Sequence, residues 1–371
     1  MLFVVTEDWY FCSHRLAHAA AASRAGYQVA VATRVVEHGE RIKSTGVGVI
    51  PFEMTRRGFN PVAEALTILR LARLYKEYQP DIVHHVALKP VVYGSIAARV
   101  ARIPVTINAV SGLGYAFTSS TGSARVLRFL ISSAMPRLVN RKGSRVITQN
   151  PDDYQALVNI GVDPNRVSLI LGAGVDPNEF PFQEESTGPV TVTLASRMIW
   201  AKGIQAFVDA AKDIKRRNSS VRFVLVGRPD LGNPASVSQG QLRAWASEGL
   251  IEWMGHRSDM AEILSASHIV CLPSTYGEGI PKVLIEAAAT GRPIVASDIP
   301  GCREVVRNGE SGYLVPPSDH ASLVKALEEL VADASKRRMM GQRGRQLFEE
   351  NFSLERVIGE TLGIYREAMN E

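Results

Sequence analysis

The chain lacks several features that would each place it in a particular class. Its three cysteines, Cys12, Cys271 and Cys302, are scattered and fit no metal-ligand spacing, so neither a zinc site nor a disulfide framework is expected. The first residues show no basic segment followed by a long apolar run, and Arg or Lys interrupts every later apolar stretch before about 20 residues. We therefore expect a cytoplasmic protein that does not span a membrane.

A further absence concerns nicotinamide cofactors. No Gly-x-Gly-x-x-Gly motif follows the first apolar run, whose sequence is Leu2-Phe3-Val4-Val5. That motif lets a backbone approach the pyrophosphate of a dinucleotide. A nicotinamide-dependent dehydrogenase is therefore not expected.

Positive charge is present mainly in the first part of the chain. Residues 1–150 carry 19 Lys and Arg against 8 Asp and Glu, whereas residues 151–371 carry 23 against 29. Such an asymmetry indicates a surface for an anionic partner, either nucleic acid, an anionic membrane leaflet or a phosphorylated substrate. A basic face that only keeps the protein soluble is the alternative. No usual nucleic-acid-binding module is recognisable there, so nucleic acid is not expected as a partner.

The order of apolar segments predicts two α/β domains. The 371 residues exceed the roughly 250 to 300 at which one hydrophobic core stops growing. Short β-branched runs alternate with longer Ala- and Leu-rich stretches from Leu2 onward, which is typical of a parallel sheet with crossover helices. The alternation breaks once, in a segment rich in Gly, Pro and acidic residues. We predict a first domain over 1–170, a linker over 171–188, a second domain over 189–354, and a last helix near 355–371 that packs back on the first domain.

The most informative segment covers residues 273–291 and is interpreted as a strand end, a glycine loop and a helix start. Pro281 occupies a first helical position and Gly291 follows the last helical residue, which are preferred places for these residue types. Such a loop presents backbone N–H groups and the positive end of a helix dipole to a diphosphate or to sugar hydroxyls. The candidate binding residues of this loop are Gly279, Ile280, Pro281 and Lys282.

Glu286 lies within that helix, where its neighbours are apolar on every side. The helix is therefore expected to be buried, and a buried carboxylate needs hydrogen-bond partners. A pair of ribose hydroxyls would donate two hydrogen bonds to it. Backbone N–H groups or an Arg are the alternative partners. Glu278, in the preceding loop, either faces a bound sugar or is a solvated loop acid.

These residues resemble the signature of the family-4 retaining glycosyltransferases, whose GT-B architecture has two Rossmann-like domains facing each other across a cleft. The signature is a Glu, seven residues and a second Glu in this strand, loop and helix context, as in Glu278 and Glu286. A second element also fits, because Arg197 and Lys202 follow the first strand expected in the second domain. Further matches, in family order, are Gly174-Val175-Asp176, Val226-Gly227 and Gly312 to Pro316.

The resemblance implies a role for each of these residues. Arg197, Lys202 and Glu278 are expected at the reacting centre, Glu286 at the donor ribose, and Gly227 with the glycine loop around the nucleotide-sugar. The chain contains no Asp-x-Asp triplet, the usual metal-bridging pattern of metal-dependent sugar transferases. Neither a metal nor a cofactor is therefore expected, and the two cations are expected to neutralise the departing diphosphate. Retention at the anomeric carbon is also implied.

The first domain matches the family less well. Relatives often have a Gly-Gly pair in the first strand-helix loop, where this chain has Ser13 as a helix cap and Arg15 as a side chain that reaches a phosphate. Relatives also often carry a His where this chain has Asn108, and His84 or His85 is the substitute. Ser13, Arg15, His85 and Asn108 are thus candidate acceptor or sugar contacts. A plain cap, a solvated Arg and a satisfied core His are the alternatives.

The glycine loop between Asn108 and Phe117 resembles the subgroup that builds polysaccharide on polyprenyl diphosphate carriers. Between Ser123 and Lys142, basic residues interleave with an apolar face. This pattern is consistent with a helix that lies on the anionic inner leaflet of the cytoplasmic membrane, near a lipid-linked acceptor. An amphipathic helix with a basic outer face is the alternative.

The sequence therefore predicts a retaining, metal-independent glycosyltransferase. It is expected to move a hexose or N-acetylhexosamine from a UDP-sugar to a polyprenyl-diphosphate-linked glycan in the biosynthesis of cell-surface polysaccharide such as O-antigen. Its expected partners are the nucleotide-sugar, the lipid-linked acceptor and the anionic cytoplasmic membrane surface. A UDP-sugar epimerase or hydrolase of the same architecture, and a non-catalytic nucleotide-sugar-binding subunit, are the alternatives.

Overall fold

The structure, a computed structural model, describes residues 1–54, 60–113, 122–230, 232–277 and 279–371. Its contacts divide the chain into two compact units. The first unit comprises Met1–Ala173 and Glu355–Glu371, and the second comprises Gly174–Leu354.

The strands are β1 (Leu2–Glu7), β2 (Ala30–Arg34), β3 (Gly48–Pro51), β4 (Ile82–Val86), β5 (Val105–Val110), β6 (Ser144–Thr148), β7 (Val167–Leu169), β8 (Thr191–Ala195), β9 (Arg222–Val226), β10 (Glu252–Trp253), β11 (Ile269–Leu272), β12 (Ile294–Ser297) and β13 (Gly312–Val315). The α-helices are α1 (Asp8–His14), α2 (Leu16–Arg24), α3 (Gly39–Lys43), α4 (Pro61–Tyr78), α5 (Leu88–Ala101), α6 (Gly122–Val139), α7 (Pro151–Asn159), α8 (Ile204–Arg217), α9 (Gln239–Ser247), α10 (Met260–Ser265), α11 (Lys282–Ala289), α12 (Cys302–Val305), α13 (His320–Ala332), α14 (Ala334–Asn351) and α15 (Leu354–Met369).

Each unit is built on one parallel sheet, which confirms the predicted pair of Rossmann-like α/β units. The strand order is β3-β2-β1-β4-β5-β6-β7 in the first sheet and β10-β9-β8-β11-β12-β13 in the second. The chain order reverses between β1 and β4 in the first sheet and between β8 and β11 in the second. In open parallel sheets, such a switch point leaves a crevice at the carboxyl ends of the strands, where ligands bind.

The last helix, α15, belongs to the core of the first unit. Its buried residues Val357, Ile364, Tyr365 and Ala368 join a cluster that includes Phe3 of the first strand. These apolar positions follow the spacing of one helical face, which explains why the helix packs on a sheet. The second unit has its own apolar core around β8, β9 and helices α8 and α13.

The Ala-rich segment from Ser13 to Ala25 predicts one helix capped by Ser13, and this prediction is wrong, because the structure has two helices here. α1 begins at Asp8, directly after β1, and α2 begins at Leu16. The carboxylate of Asp8 accepts hydrogen bonds from the backbone N–H groups of Val36, Glu37 and His38, at 2.7 to 3.0 Å. This long-range contact anchors the start of α1, and negative charge in a first turn also favours a helix start.

Most of the segment predicted as a linker packs on the second unit. Phe180 is only 2% exposed. Glu185 accepts a hydrogen bond from Arg337 Nε at 2.8 Å. An added Cβ at Gly291 would lie 2.5 Å from the Phe182 ring, so this glycine makes room for the segment. The residues from Gly174 onward are therefore part of a folded unit.

Across the described ranges, no helix combines the length and the apolar character that crossing a membrane requires.

Candidate active site

The two motifs of the second unit follow neighbouring strands at the switch point of its sheet. Arg197 and Lys202 come after β8, and the loop of 273–281 comes after β11. These strands are hydrogen-bonded in parallel, with Ile269 opposite Val192. Since the carboxyl ends of parallel strands meet at one edge, the sheet brings the two segments together.

A direct backbone contact holds these two segments against each other. The Thr275 N–H donates to the Ala201 carbonyl at 2.9 Å. Gly203 has φ +76°, and a Cβ added to it would lie 2.1 Å from the Pro273 carbonyl oxygen. Only glycine satisfies both the left-handed conformation and this close approach. Gly203 therefore determines how closely the cationic segment approaches the loop.

Arg197 is held by an acid that the sequence analysis did not identify. Its Nη1 lies 2.7 Å from Oδ2 of Asp230, which also accepts from Asn233 Nδ2 at 3.0 Å. The Arg197 side chain keeps 38% of its surface exposed. Asp230 follows β9 in the short sequence Gly227-Arg228-Pro229-Asp230, and its position at a strand end beside β8 is the signal that was missed. The guanidinium is thus positioned while part of it still faces solvent.

Gly227 is explained by backbone packing at the end of β9. Its φ is +141°, and a Cβ would lie 1.8 Å from the Ser196 carbonyl oxygen. Its N–H donates to the Gly255 carbonyl at 2.7 Å, and its carbonyl accepts from Trp253 Nε1 at 2.9 Å. Gly227 therefore lets the backbone next to Arg197 pack closely against β9, and its backbone groups are used within the protein.

Glu286 is buried, as its apolar neighbours predict, with 7% of its surface exposed. Its partner is Lys282, one turn earlier in α11, whose Nζ lies 2.8 Å from Oε1. The Lys282 ammonium also lies 5.8 Å from the centre of the Phe180 ring. The expected alternatives were ribose hydroxyls, backbone N–H groups or an Arg. The i,i+4 spacing of Lys282 and Glu286 on a helix is the sequence signal for this ion pair.

Helix α11 begins directly after the loop of 273–281. Pro281 is its N-cap residue and makes no side-chain cap hydrogen bond, and the helix ends before Gly291, which has φ +76°. The first N–H groups of a helix have no intrahelical acceptor. The Leu284 N–H donates to the Pro281 carbonyl at 3.0 Å, so the N–H groups of Lys282 and Val283 are the donors that could serve a ligand of suitable charge. Ile280 is buried, and Gly279 is half-buried. Glu278 lies outside the described residues, so its predicted place at the sugar stays a prediction.

Lys202 ends a short 3-10 turn after Arg197 and is half-buried. Its backbone N–H donates to the Ile199 carbonyl at 3.0 Å. A cavity of about 440 Å³ lies beside the contact between the two segments, and its lining includes Trp200, Gly203, Pro273 and Thr275. Neither of the two cations nor Glu286 lines this cavity. We do not assign the nucleotide-sugar to it.

In the first unit, His85 and Asn108 form a buried network. His85 Nδ1 lies 2.8 Å from Asn108 Oδ1, and His85 Nε2 lies 2.8 Å from the Tyr75 hydroxyl. Asn108 Nδ2 donates to Ser144 Oγ at 3.3 Å. Both side chains are fully buried, and burial lowers the pKa of His85 to about 4. Their polar atoms are satisfied by the protein, which matches the core alternative for His85.

Ser13 is not a helix cap. It lies inside α1, is exposed, and its Oγ is 2.5 Å from Nδ1 of His14. Arg15 separates α1 from α2 and is only 4% exposed, so it is not the solvated Arg that the sequence allowed.

Both halves of the chain match family models. Residues 1–150 match the family described as Glycosyl transferase 4-like, and residues 176–347 match Glycosyl transferases group 1. Two curated relatives align over most of their length. An N,N'-diacetylbacillosaminyl-diphospho-undecaprenol alpha-1,3-N-acetylgalactosaminyltransferase from Campylobacter jejuni is 28% identical over 339 residues, which are 87% of this chain and 87% of the relative. A UDP-Gal:alpha-D-GlcNAc-diphosphoundecaprenol alpha-1,3-galactosyltransferase from Escherichia coli is 28% identical over 325 residues, which are 83% of this chain and 81% of the relative.

Solved structures share the fold at low sequence identity. HepE from Anabaena, crystallised in complex with UDP and glucose, has a TM-score of 0.78 at 19% identity and covers 98% of each chain. Sucrose-phosphate synthase from Thermosynechococcus elongatus has a TM-score of 0.79 at 20% identity, covering 99% of this chain and 98% of that chain. Because glycosyltransferase models match both halves in order and these solved structures share the fold over nearly the whole chain, the chain belongs to the glycosyltransferases of GT-B architecture.

Proposed function

We propose that this glycosyltransferase moves a hexose or N-acetylhexosamine from a UDP-sugar to a polyprenyl-diphosphate-linked glycan, with retention and without a metal. The observation that carries the proposal is the contact between the Arg197–Gly203 segment and the loop after β11. It assembles a guanidinium, an uncapped helix start and the Glu286 carboxylate at one sheet edge.

The charges of these groups suit a departing nucleoside diphosphate. The guanidinium of Arg197 and the ammonium of Lys202 complement phosphate oxygens, and the first N–H groups of α11 add donors. Donors fixed in advance stabilise charge that develops on a leaving group. Transfer therefore proceeds here without a divalent ion, and retention of activity in EDTA is the expected result.

The identity of donor and acceptor is supported by the relatives. Both curated relatives carry names that specify undecaprenol-diphosphate acceptors and alpha-1,3 linkages. A UDP-α-sugar that yields an α-linked product reacts with retention. Glu286 is proposed to bind the donor ribose, and Glu278 the donor sugar.

A membrane-facing surface is proposed on α6. Phe129 is 71% exposed, and Arg125 is exposed at a position four residues earlier on the same helical face. An exposed aromatic beside cations is the composition of helices that lie on anionic lipid. The enzyme is therefore proposed to associate peripherally with the inner face of the cytoplasmic membrane, where a lipid-linked acceptor is anchored.

The test is a transfer assay with purified protein, a panel of UDP- and GDP-sugars and a short polyprenyl-diphosphate-linked acceptor. A UDP-sugar-dependent product with an α linkage by NMR, formed equally in EDTA, supports the proposal. Release of free sugar or of an epimerised sugar without any acceptor product would replace it with one of the alternative activities. Donor binding without turnover would point to a non-catalytic subunit.

A further inference from the structure

The first unit contains a buried cation that has no anionic partner. The Arg15 side chain is 4% exposed, and its Nε has no hydrogen-bond acceptor. Among the described residues, no carboxylate contacts this guanidinium. Burial lowers the pKa of Arg15, and the hydroxyls of Tyr10 and Tyr365 act in the opposite direction. An unpaired charge in a protein interior is unfavourable unless something compensates it.

Two histidines beside Arg15 also have unsatisfied atoms. His18 is 2% exposed, and neither of its ring nitrogens has a partner. His84 is fully buried and stacks on Phe3, with its Nδ1 2.6 Å from the Tyr365 hydroxyl and its Nε2 unpartnered. Burial, with the nearby Arg15 charge second, holds the pKa of both imidazoles well below the usual range.

The missing partner must accept hydrogen bonds. A neutral imidazole carries one N–H whichever tautomer is present, so His18 always leaves one donor unsatisfied. The Nε–H of Arg15 is a second unsatisfied donor. Together with the guanidinium charge, these donors match an anion with several oxygen acceptors, such as a phosphoryl group. A water molecule would satisfy the donors but not the charge.

The position of the cluster also favours a ligand. Arg15 follows β1 through the short helix α1, and His84 belongs to β4. These two strands are adjacent at the switch point of the first sheet, with Phe3 opposite His84. Open parallel sheets bind ligands beyond the carboxyl ends of the strands at such a point, and Arg15 follows the carboxyl end of β1, whereas His84 lies within β4.

We propose that Arg15, His18 and His84 form a binding site for a phosphoryl anion, and that this anion is the diphosphate of the lipid-linked acceptor. The anion site itself follows from the buried cluster, whereas its assignment to the acceptor rests on the proposed function. Arg15 supplies the charge, and His18 and His84 supply neutral ring nitrogens.

The binding test uses thermal unfolding with UDP present at saturation, so that the donor site is already occupied. Geranyl diphosphate and inorganic phosphate are added separately to the wild-type protein, to Arg15→Met and to Arg24→Met. Arg24 is the matched control, because it is an exposed Arg at the far end of α2, the helix that Arg15 precedes. Geranyl diphosphate should raise the Tm of the wild type and of Arg24→Met, and should bind Arg15→Met at least tenfold more weakly.

Three results would contradict the acceptor assignment. An equal Tm rise in Arg15→Met, or no rise in the wild type, would overturn the site. A rise with inorganic phosphate but none with geranyl diphosphate would assign it to a free anion. Without ligand, Arg15→Met should unfold at the wild-type temperature or above, because it removes an uncompensated charge. If that variant does not fold, crystals of the wild type soaked in selenate should show an anomalous peak at Arg15 Nε. Water alone at that position would refute the proposal.

Kinetics separate this inference from the proposed function. Arg15→Met should raise the KM for the lipid-linked acceptor at least tenfold and leave the KM for the UDP-sugar unchanged, whereas Arg24→Met should change neither. Unchanged acceptor KM in Arg15→Met, with active enzyme, would overturn the inference alone. If the wild type bound geranyl diphosphate through Arg15 but transferred no sugar, the proposed function would fail and the anion site would stand.

Discussion

Lys282 and Glu286 form an ion pair across one turn of α11, with 2.8 Å between Nζ and Oε1 and with the carboxylate side chain only 9% exposed. Lys282 gives this buried carboxylate a hydrogen-bond partner from its own helix. Ribose hydroxyls would therefore meet a carboxylate that Lys282 already orients.

Replacing Glu286 with Gln should weaken UDP binding about tenfold or more, because a hydrogen bond to a charged group contributes roughly 1.5–3 kcal/mol. Isothermal titration calorimetry with UDP measures the effect. The control is Glu360→Gln, which removes the acid of an exposed i,i+4 pair with Arg356 in α15. Wild-type UDP affinity in Glu286→Gln would refute the ribose role.

Gly203→Ala should destabilise the second unit and impair donor binding. A left-handed non-glycine residue costs about 1–2 kcal/mol, and the clash with the Pro273 carbonyl adds a further ~1–3 kcal/mol. The control is Gly249→Ala, since Gly249 has φ +70° but no atom within 4 Å of an added Cβ. Urea unfolding compares the two variants. Equal losses of unfolding free energy in the two variants would show that the contact between Gly203 and Pro273 tolerates a side chain.

Asp230→Asn should lower kcat about tenfold or more while the fold is kept. The amide retains the shape of the carboxylate but removes the charge that orients Arg197, and misplacement of a catalytic group is costly. Steady-state kinetics at saturating donor measure the effect. Glu252→Gln serves as the control, because it breaks the exposed Arg222–Glu252 pair on the same sheet. Full activity in Asp230→Asn would indicate that Arg197 keeps its orientation without the Asp230 carboxylate.

Because His85 is buried, the free energy of unfolding should decrease as the pH is lowered. Its pKa is about 4 in the folded protein and about 6.5 when unfolded. Between these two pH values the unfolded chain binds more protons than the folded protein. The contribution of His85 to the free energy of unfolding is therefore complete above pH 6.5 and declines as the pH falls towards 4. From pH 7 to pH 5 it should decrease by roughly 2 kcal/mol.

Urea unfolding at both pH values tests this contribution. His85→Gln should show a smaller loss between pH 7 and pH 5 than the wild type. His256→Gln, at an exposed position, should behave as the wild type does. If His85→Gln and the wild type lost the same free energy of unfolding between pH 7 and pH 5, the His85 imidazole would not be the cause of that loss.

The strands could be predicted well where the apolar run was unbroken. The sequence segments Thr191–Ala195 and Ile269–Leu272 predict strands and coincide with β8 and β11, because runs rich in β-branched residues that are buried on both faces leave little ambiguity. α1 could not be predicted, since Asp8 anchors its start through backbone groups 28 to 30 residues away. Contacts of that kind exist only once the chain has folded.

The site shows the same division between local and long-range information. The burial of Glu286 could be predicted from its apolar neighbours, whereas Arg197 and Lys202 were predicted as site residues through the family resemblance. Asp230 was not, because it reaches Arg197 across 33 residues. The bond between His85 and Asn108 depends on the register of β4 and β5, which no short segment encodes.

Helix α15 has a consequence for the order in which the two units fold during synthesis. Its Tyr365 and neighbouring residues complete the core that begins with Phe3, so the first unit is completed by residues that are synthesised after the whole second unit. During synthesis the second unit is therefore complete while the first still exposes apolar surface. Folding of the first unit waits until α15 has been made, contrary to the usual order in which N-terminal domains fold first.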